Sequence, residues 1–253
     1  MSLIEEIKEY WNLRSSDFSD TILYDLDTTS NRALNKISGY IGDYQVKDIL
    51  DVGCGPGFYT LTFASKGYNV IGVDYSDKMV DEARRNAESK GIDAKFMVMD
   101  AQAMDFPDSL FDLVVSRDMM WCLEHPESAY SEILRVLRPG GMAIVSDGNY
   151  YLHLYNDKYA KSRDFARKNT PKEPVKGGHE YFNKEKVDFK IIEDIAKDLP
   201  LSHEERPKWD VGVLCALGCK DITIRTRSRP MTDDDNLVMS FDIIFIKEDK
   251  DGN

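Results

Sequence analysis

The sequence predicts an α/β protein, with a doubly wound, mostly parallel seven-stranded sheet carrying helices on both faces. Three observations predict it. Apolar, β-branched runs alternate with helical stretches between about residues 46 and 147, the pattern of βαβ units around a buried parallel sheet. The first run ends in a glycine-rich turn, Gly53-Cys54-Gly55-Pro56-Gly57, that leads into a helix. Two further strand-like runs flank the turn-prone segment RPMTDDDN near the end of the chain. At 253 residues there is enough chain for one large α/β domain with a well-buried core.

Residues 3–14 place Ile4, Ile7, Tyr10 and Trp11 at helical intervals with Glu5, Glu6 and Lys8 opposite. A second helix is expected over about 31–40, with Leu34 and Ile37 inward. Strands are expected at 46–52, 68–74, 94–100, 111–117 and 141–147, several of them nearly continuous apolar runs, as suits strands buried on both faces. The helix expected at 77–90 has Ser76 as its N-cap, Met79, Ala83 and Ala87 on one face, and Gly91 just past its end. Another is expected over 126–138, with Pro126 in its first turn and Ile133, Leu134 and Leu137 inward. After Asp147 the alternation breaks, and Tyr150, Tyr151, Tyr155 and Tyr159 precede the loop signals Pro171, Pro174 and Gly177-Gly178. Helices at about 184–199 and 207–217 and strands at 221–227 and 240–248 complete the expectation. In the last pair, Arg225, Arg227 and Arg229 alternate onto one face, read as a solvated face.

The formal net charge of −12 disfavours a phosphate backbone as partner. The expected partner is a small molecule, with no nucleic acid and no membrane; oligomeric state is not legible. The stretch 157–176 is locally basic, with seven Lys or Arg against three acids, and reads as a solvated helix face. Cys54, Cys122, Cys215 and Cys219 form no CxxC pair, and the four histidines have no ligand-type spacing, so no metal is expected. The N-terminus is acidic and amphipathic and lacks the basic start and apolar run of a signal peptide. The expectation is a cytoplasmic protein with reduced thiols.

Chemistry concentrates around the glycine turn. Gly53 and Gly55 let the backbone turn sharply and come close to a ligand, and the helix that follows presents free N–H groups and a positive dipole end suited to an anionic group. The second strand ends in Asp74, 21 residues beyond Gly53, where a carboxylate can accept both hydroxyls of a ribose. This much fits a nucleoside ligand of more than one kind. Two features separate the kinds: the dinucleotide fingerprint GxGxxG would need a third glycine where Phe58 stands, and Pro139-Gly140-Gly141 makes a turn before the fifth strand.

The ordered motifs ILDVGCGPG, VIGVDYS, MDAQAMDFPD, FDLVVSRDMMW and EILRVLRPGGMAIVSD resemble the class I S-adenosylmethionine-dependent methyltransferases, nearest the small-molecule group that includes the ubiquinone/menaquinone-biosynthesis type. The resemblance covers about residues 46–147, with a looser fit of the last two strands to that family's closing hairpin. It implies a Rossmann-like core and S-adenosyl-L-methionine as cofactor, with S-adenosyl-L-homocysteine as product. It places Gly53 and Gly55 under the methionine part and Asp51 at the strand end, fixing the loop. It puts Asp74 on the ribose, Tyr75 and Met79 near the adenine, Asp100 and the Ala101 N–H on the adenine edge, and Ser116 and Arg117 beside the reactive methyl. The sulfonium is already a strong methylating agent, so the protein's task is to hold an acceptor in line with the S–CH3 bond.

Acceptor-side residues are less marked. Asp118, Tyr151 and His153 are the catalytic candidates, and Tyr10, Trp11, Arg14, Trp121, Tyr151 and His153 are the candidates for binding the acceptor. The organisation expected is an N-terminal helical lid over 1–45, a cofactor-binding core over 46–147, an inserted cap over 148–208 that selects the acceptor, and a C-terminal helix and closing hairpin over 209–253. The alternatives are an NAD(P)-dependent oxidoreductase and a cofactor-binding protein without transferase activity.

Overall fold

The computed structural model describes residues 2–169, 181–184, 186–230 and 236–248. Its centre is a seven-stranded sheet of order β3-β2-β1-β4-β5-β7-β6. The strands are β1 (Asp48–Val52), β2 (Asn69–Asp74), β3 (Lys95–Val98), β4 (Phe111–Arg117), β5 (Leu137–Gly148), β6 (Ile222–Pro230) and β7 (Asn236–Ile246). The first five run parallel, and β7 inserts antiparallel between β5 and β6. The chain leaves β1 toward β2 on one side and pairs it with β4 on the other, so a crevice opens beyond the C-terminal ends of β1 and β4.

Alternation along the buried strands feeds two cores. Leu50, Val52, Val114, Val145, Phe241 and Phe245 pack on one face against Ala129, Tyr130, Ile133 and Val136 of α5 (Pro126–Val136) and Leu214 of α8 (Lys208–Ala216). Ile49, Leu113, Val115, Ile144 and Ile244 pack on the other face against Ile22 of α1 (Leu3–Thr28), Ile37 of α2 (Ser30–Ile41) and Phe58, Tyr59 and Phe63 of α3 (Phe58–Ala64). A third cluster seats Val80, Ala83 and Ala87 of α4 (Asp77–Lys90) on Leu61 and Phe96. α2 is tied to the sheet by the fully buried Asp242 of β7, which accepts from Lys36 Nζ at 2.9 Å and Tyr40 Oη at 2.8 Å.

Helix α4 begins and ends where capping chemistry dictates. Ser76 Oγ accepts the Met79 N–H at 3.1 Å, and Gly91 adopts φ +64° to close the last turn. Other boundaries moved. α1 runs to Thr28, twice the length read from its apolar period, because its second half buries Ser15, Asp17, Ser19 and Thr21 in place of an apolar stripe. β5 starts at Leu137, and the Pro139-Gly140-Gly141 turn lies within it as a register shift against β4 between Phe111 and Leu113. The helix expected at 184–199 is the shorter α7 (Lys190–Ala196), preceded by α6 (Asp157–Asn169). Arg225 and Arg227 are exposed, although Arg227 reaches Asp242 at 3.2 Å. The side chain of Arg229, the loop signals at 171–178 and the end of the basic stretch lie outside the described residues. Among the described residues no helix is long and apolar enough to cross a membrane.

Candidate functional site

The tip of β1, the glycine turn and the tip of β2 are fastened to one another by buried carboxylates. Asp51, the penultimate residue of β1, is 2% exposed, and its Oδ2 accepts the Thr60 backbone N–H at 2.9 Å and the Thr60 hydroxyl at 2.7 Å. It therefore occupies the N-terminal turn of α3, so a carboxylate of the chain itself takes the place expected for an anionic ligand group. Asp74 binds the loop from the other side: Oδ2 accepts the Gly55 N–H and Oδ1 the Ser76 N–H, both at 2.9 Å. Burial pushes both carboxyls up to about 6, opposed by these same hydrogen bonds.

Gly53 has φ +70°, and a Cβ built there would lie 2.3 Å from Met119 Cγ and 2.6 Å from Met119 Cβ. The space left by its missing side chain is filled by the loop after β4. At Gly55 the nearest atom is Phe18 Cε1 of α1, 3.5 Å away. The glycines thus serve close packing of the chain around the turn, in addition to the approach of a ligand.

Above the turn lies a cavity of about 820 Å³, near the upper end of the ~300–1,000 Å³ typical of small-molecule sites. Asp51, Gly53, Gly55, Asp74, Tyr75, Met79, Asp100, Ala101 and Arg117 line one part of it. Asp100 holds Gln102 through its own Oδ1, which accepts the Gln102 N–H at 2.8 Å and side-chain amide at 3.0 Å. Of the residues expected beside the cofactor, only Ser116 is outside the lining: it is buried within β4, and its hydroxyl has no partner among the described residues.

All six residues expected on the acceptor side line the same cavity. Trp11, Trp121, Tyr150 and Tyr151 form a continuous aromatic wall: ring centroids are 6.3 Å apart for Trp11–Trp121, 5.9 Å for Trp121–Tyr150 and 5.2 Å for Trp121–Tyr151. Tyr10 is 5.2 Å from Trp11, and burial pushes its phenol up to about 12. Arg14 is buried, with Asn183 Oδ1 at 3.1 Å and the Phe189 ring beneath its guanidinium. His153 Nδ1 lies 3.0 Å from the Tyr150 carbonyl, while Nε2 is buried without a partner among the described residues. Burial, aided by the nearby Arg163, lowers the His153 pKa and favours the neutral ring.

Asp118 follows β4 directly, at φ +56°. Its carboxylate accepts the Tyr150 hydroxyl and lies 3.7 Å from Arg117 Nε, and its carbonyl accepts the Trp121 indole N–H at 2.8 Å. Arg117 in turn stacks over Phe58 at 4.2 Å, so the residue that replaced the third glycine carries a guanidinium of the site.

α1 roofs the cavity from end to end. Lys8 pairs with Asp77 at 3.2 Å, Asn12 Oδ1 accepts the Ser76 hydroxyl at 2.6 Å, Ser19 bonds Asn86, and Asp25 lies 3.5 Å from Arg117. Asn86 also donates to the Pro56 carbonyl in the glycine turn at 3.0 Å.

Sequence reasoning missed the charged network behind the aromatic wall. Asp147, at the end of β5, accepts the Trp121 backbone N–H at 3.0 Å and Arg206 Nη1 at 2.6 Å. Arg206 also grips Asp210, which accepts the Tyr130 hydroxyl at 2.6 Å. Asn149 joins through the Arg206 backbone, accepting its N–H at 3.1 Å. Position at the C-terminal end of a parallel strand could have marked Asp147 and Asn149; no local signal marks Arg206.

Residues 50–145 match the family described as "Methyltransferase domain". Demethylmenaquinone methyltransferase of Thermus thermophilus is 38% identical over 101 residues, covering 39% of this chain and 46% of that protein. Phosphatidylethanolamine N-methyltransferase of Cereibacter sphaeroides is 36% identical over 99 residues, covering 38% of this chain and 48% of that one. The chain spans about half the length of these curated relatives. Among solved structures, a SAM-dependent methyltransferase of Methanosarcina mazei aligns at a TM-score of 0.55 and 24% identity, over 83% of this chain and 97% of its own, a likeness of fold. Residues 50–145 are thus similar to a methyltransferase domain, within the span over which the motif order pointed the same way.

Proposed function

We propose that this protein transfers the methyl group of S-adenosyl-L-methionine to a small-molecule acceptor bound in the same cavity, by in-line displacement, and releases S-adenosyl-L-homocysteine. The observation that carries this reading is the continuity of the Asp74 cradle with the aromatic wall in one cavity. The residues present fit the cofactor. Each Asp74 oxygen already takes one backbone N–H, and a carboxylate has about four lone-pair sites, which leaves acceptors for two ribose hydroxyls. Tyr75 and Met79 offer a flat apolar bed for the adenine, with the Asp100 carboxylate at its edge. The cofactor supplies an activated methyl; the chain binds it, orients the acceptor and excludes water.

In this reading α1 is the lid and the segment 148–208 selects the acceptor, supported by Tyr150, Tyr151, His153, Arg163 and Ile192 in the lining. The net charge of −12 supports a small molecule over nucleic acid as partner. The unpaired Cys54, Cys122, Cys215 and Cys219 support a reducing, cytoplasmic setting.

The test has two stages. S-adenosyl-L-homocysteine should raise the melting temperature and NAD should not; stabilisation by NAD alone would make the protein a dinucleotide enzyme. Incubation with methyl-labelled cofactor and a metabolite extract should then label a small product by mass spectrometry. Cofactor binding without any labelled product would leave a binding protein.

Asp74 gives a sharper check. Asp74→Ala should weaken S-adenosyl-L-homocysteine by the ~1.5–3 kcal/mol of a charge-assisted hydrogen-bond site, and unchanged affinity by calorimetry sinks the ribose assignment. Its carboxyl, held at about 6, must be ionised to accept two hydroxyls. Affinity should therefore rise with pH through about 6, falling roughly tenfold one unit below it, and the pH dependence should vanish in Asp74→Asn. Fold stability runs the other way. A carboxyl raised from 3.8 to about 6 by burial makes the ligand-free protein lose stability as pH climbs through that window. A gain in affinity there cannot come from a firmer fold.

A further inference from the structure

We propose that Asp118 takes the acceptor's proton during methyl transfer, and that the acceptor is an aromatic hydroxyl compound whose ring lies along Trp121 and Tyr151. The inference rests on the methyltransferase reading above and deepens it.

Asp118 stands where the two halves of the cavity meet. Its backbone N–H is fixed on the Ser146 carbonyl of β5 at 2.8 Å, and the next residue, Met119, packs onto Gly53. A non-glycine residue at φ +56° is held in a sparsely populated conformation at a cost of order 1–3 kcal/mol, and such strain persists where surrounding bonds over-determine it. Here the bonds run to the aromatic wall: the carbonyl to Trp121 and the carboxylate to Tyr150. The strained backbone therefore fixes the carboxylate and the wall as one unit.

Access singles out this carboxylate. Its side chain is 49% exposed, whereas the other carboxylates of the lining are less open: Asp25, Asp74, Asp100 and Glu124 are half-buried and Asp51 is buried. His153 Nε2, the other base at this end, is sealed from solvent. A proton taken by Asp118 can leave to water through the cavity mouth.

Charge selects the kind of acceptor. With Arg117 Nε 3.7 Å from Asp118 Oδ2, an ammonium delivered to Asp118 would approach a like charge. A hydroxyl approaches neutral, and the guanidinium favours the negative charge that gathers on its oxygen. The wall of Trp11, Trp121, Tyr150 and Tyr151 suits a flat ring, which prefers offset or edge contact with such faces. In the step itself the acceptor's O–H bond breaks as its oxygen bonds the methyl carbon. The proton passes to Asp118, and the pair of the broken S–C bond stays on sulfur, leaving an aryl methyl ether, a neutral thioether and a protonated carboxyl.

The test uses the full chain and a panel of phenols, catechols and hydroquinones beside matched anilines and alkylamines. The wild type should methylate aromatic hydroxyls in preference to amines. Asp118→Asn should bind S-adenosyl-L-homocysteine as the wild type does, yet lose about 10²–10⁴-fold in rate. Asp93→Asn, the change of an exposed carboxylate outside the cavity, should keep the rate. A readout independent of turnover is 4-nitrophenol bound to the homocysteine-loaded protein. The Asp118 charge should hold it in its O–H form, and the yellow phenolate band at neutral pH should grow in Asp118→Asn. Preference for amines or carbon acceptors, no methylated hydroxyl in the panel, an undiminished Asp118→Asn rate or an unmoved phenolate band would each overturn the proposal. Failure of the wild type to bind S-adenosyl-L-homocysteine would instead overturn the methyltransferase reading beneath it.

Discussion

Replacing Arg206 by alanine is expected to cost about 3–5 kcal/mol of folding stability, the range for stripping one partner from a buried ion pair. Arg206 is 1% exposed and lies between two carboxylates that are equally hidden, Asp147 at 2.6 Å and Asp210 at 2.5 Å. Its guanidinium also covers the Phe241 ring at 4.9 Å. Alanine leaves both carboxylates buried with no cation, and opens a void against the core. For a chain of this size each kcal/mol moves the melting temperature by about 2–4 °C, so the transition should fall by roughly 10 °C or more. The penalty should shrink in acid, because burial already pushes the Asp147 carboxyl up to about 6 and protonation removes the unpaired charge. Thermal unfolding of both proteins across pH 5 to 8 checks this; a loss below ~1 kcal/mol at pH 8 would mean the network is not energetically coupled.

Gly53→Ala is expected to follow closely, at about 2–4 kcal/mol, from two additive sources. The φ of +70° costs any residue with a Cβ about 1 kcal/mol. The new methyl then meets Met119 at 2.3 and 2.6 Å, and overpacking of that kind costs roughly 1–3 kcal/mol. Gly91→Ala isolates the first source, since Gly91 is left-handed at φ +64° and ψ 32° with nothing within 4 Å of its would-be Cβ. Met119→Ala in the Gly53→Ala background should restore part of the second, because it removes the Cγ contact and leaves the Cβ one. Denaturant unfolding of the three variants separates the contributions, and equal losses for Gly91→Ala and Gly53→Ala would discard the packing explanation. Met119 adjoins Asp118, so Gly53→Ala should also reduce S-adenosyl-L-homocysteine affinity beyond its effect on stability.

Where local chemistry decided the structure, the sequence was legible. Ser76 and Gly91 bound α4 because a hydroxyl cap and a positive-φ stop act within one turn of the helix. β4 occupies 111–117, the bounds expected from its central apolar residues. The second half of α1 was not legible, since its buried residues are polar: Ser19 bonds Asn86 of α4 and Asp17 lies beside Arg14, with no apolar periodicity to mark either. At the site, the residues borne by the glycine turn and strand tips converge on one cavity, as parallel strands require; Ser116 does not line it. Arg206 was hard to read for a physical reason: Asp210 lies at i,i+4, an ordinary surface spacing, whereas the partner that buries the pair in the network, Asp147, is 59 positions away. The aromatic wall was half legible, because Trp121 and Tyr151 follow strand ends while Trp11 arrives from a helix at the other end of the chain.

The cavity's floor and its opposing wall come from different parts of the chain. Apart from Arg117, the residues that line the glycine-turn side fall within one run, 51–102, whereas α1, 117–124 and the segments from 149 onward supply the remainder. Stability and chemistry of the floor rest on bonds internal to that run, such as Asp51 to Thr60 and Asp74 to Gly55. Substitutions far apart and without shared partners act almost independently. On the proposed methyltransferase reading, exchange of Tyr151, His153 or Ile192 should change the acceptor while leaving S-adenosyl-L-homocysteine affinity unaltered.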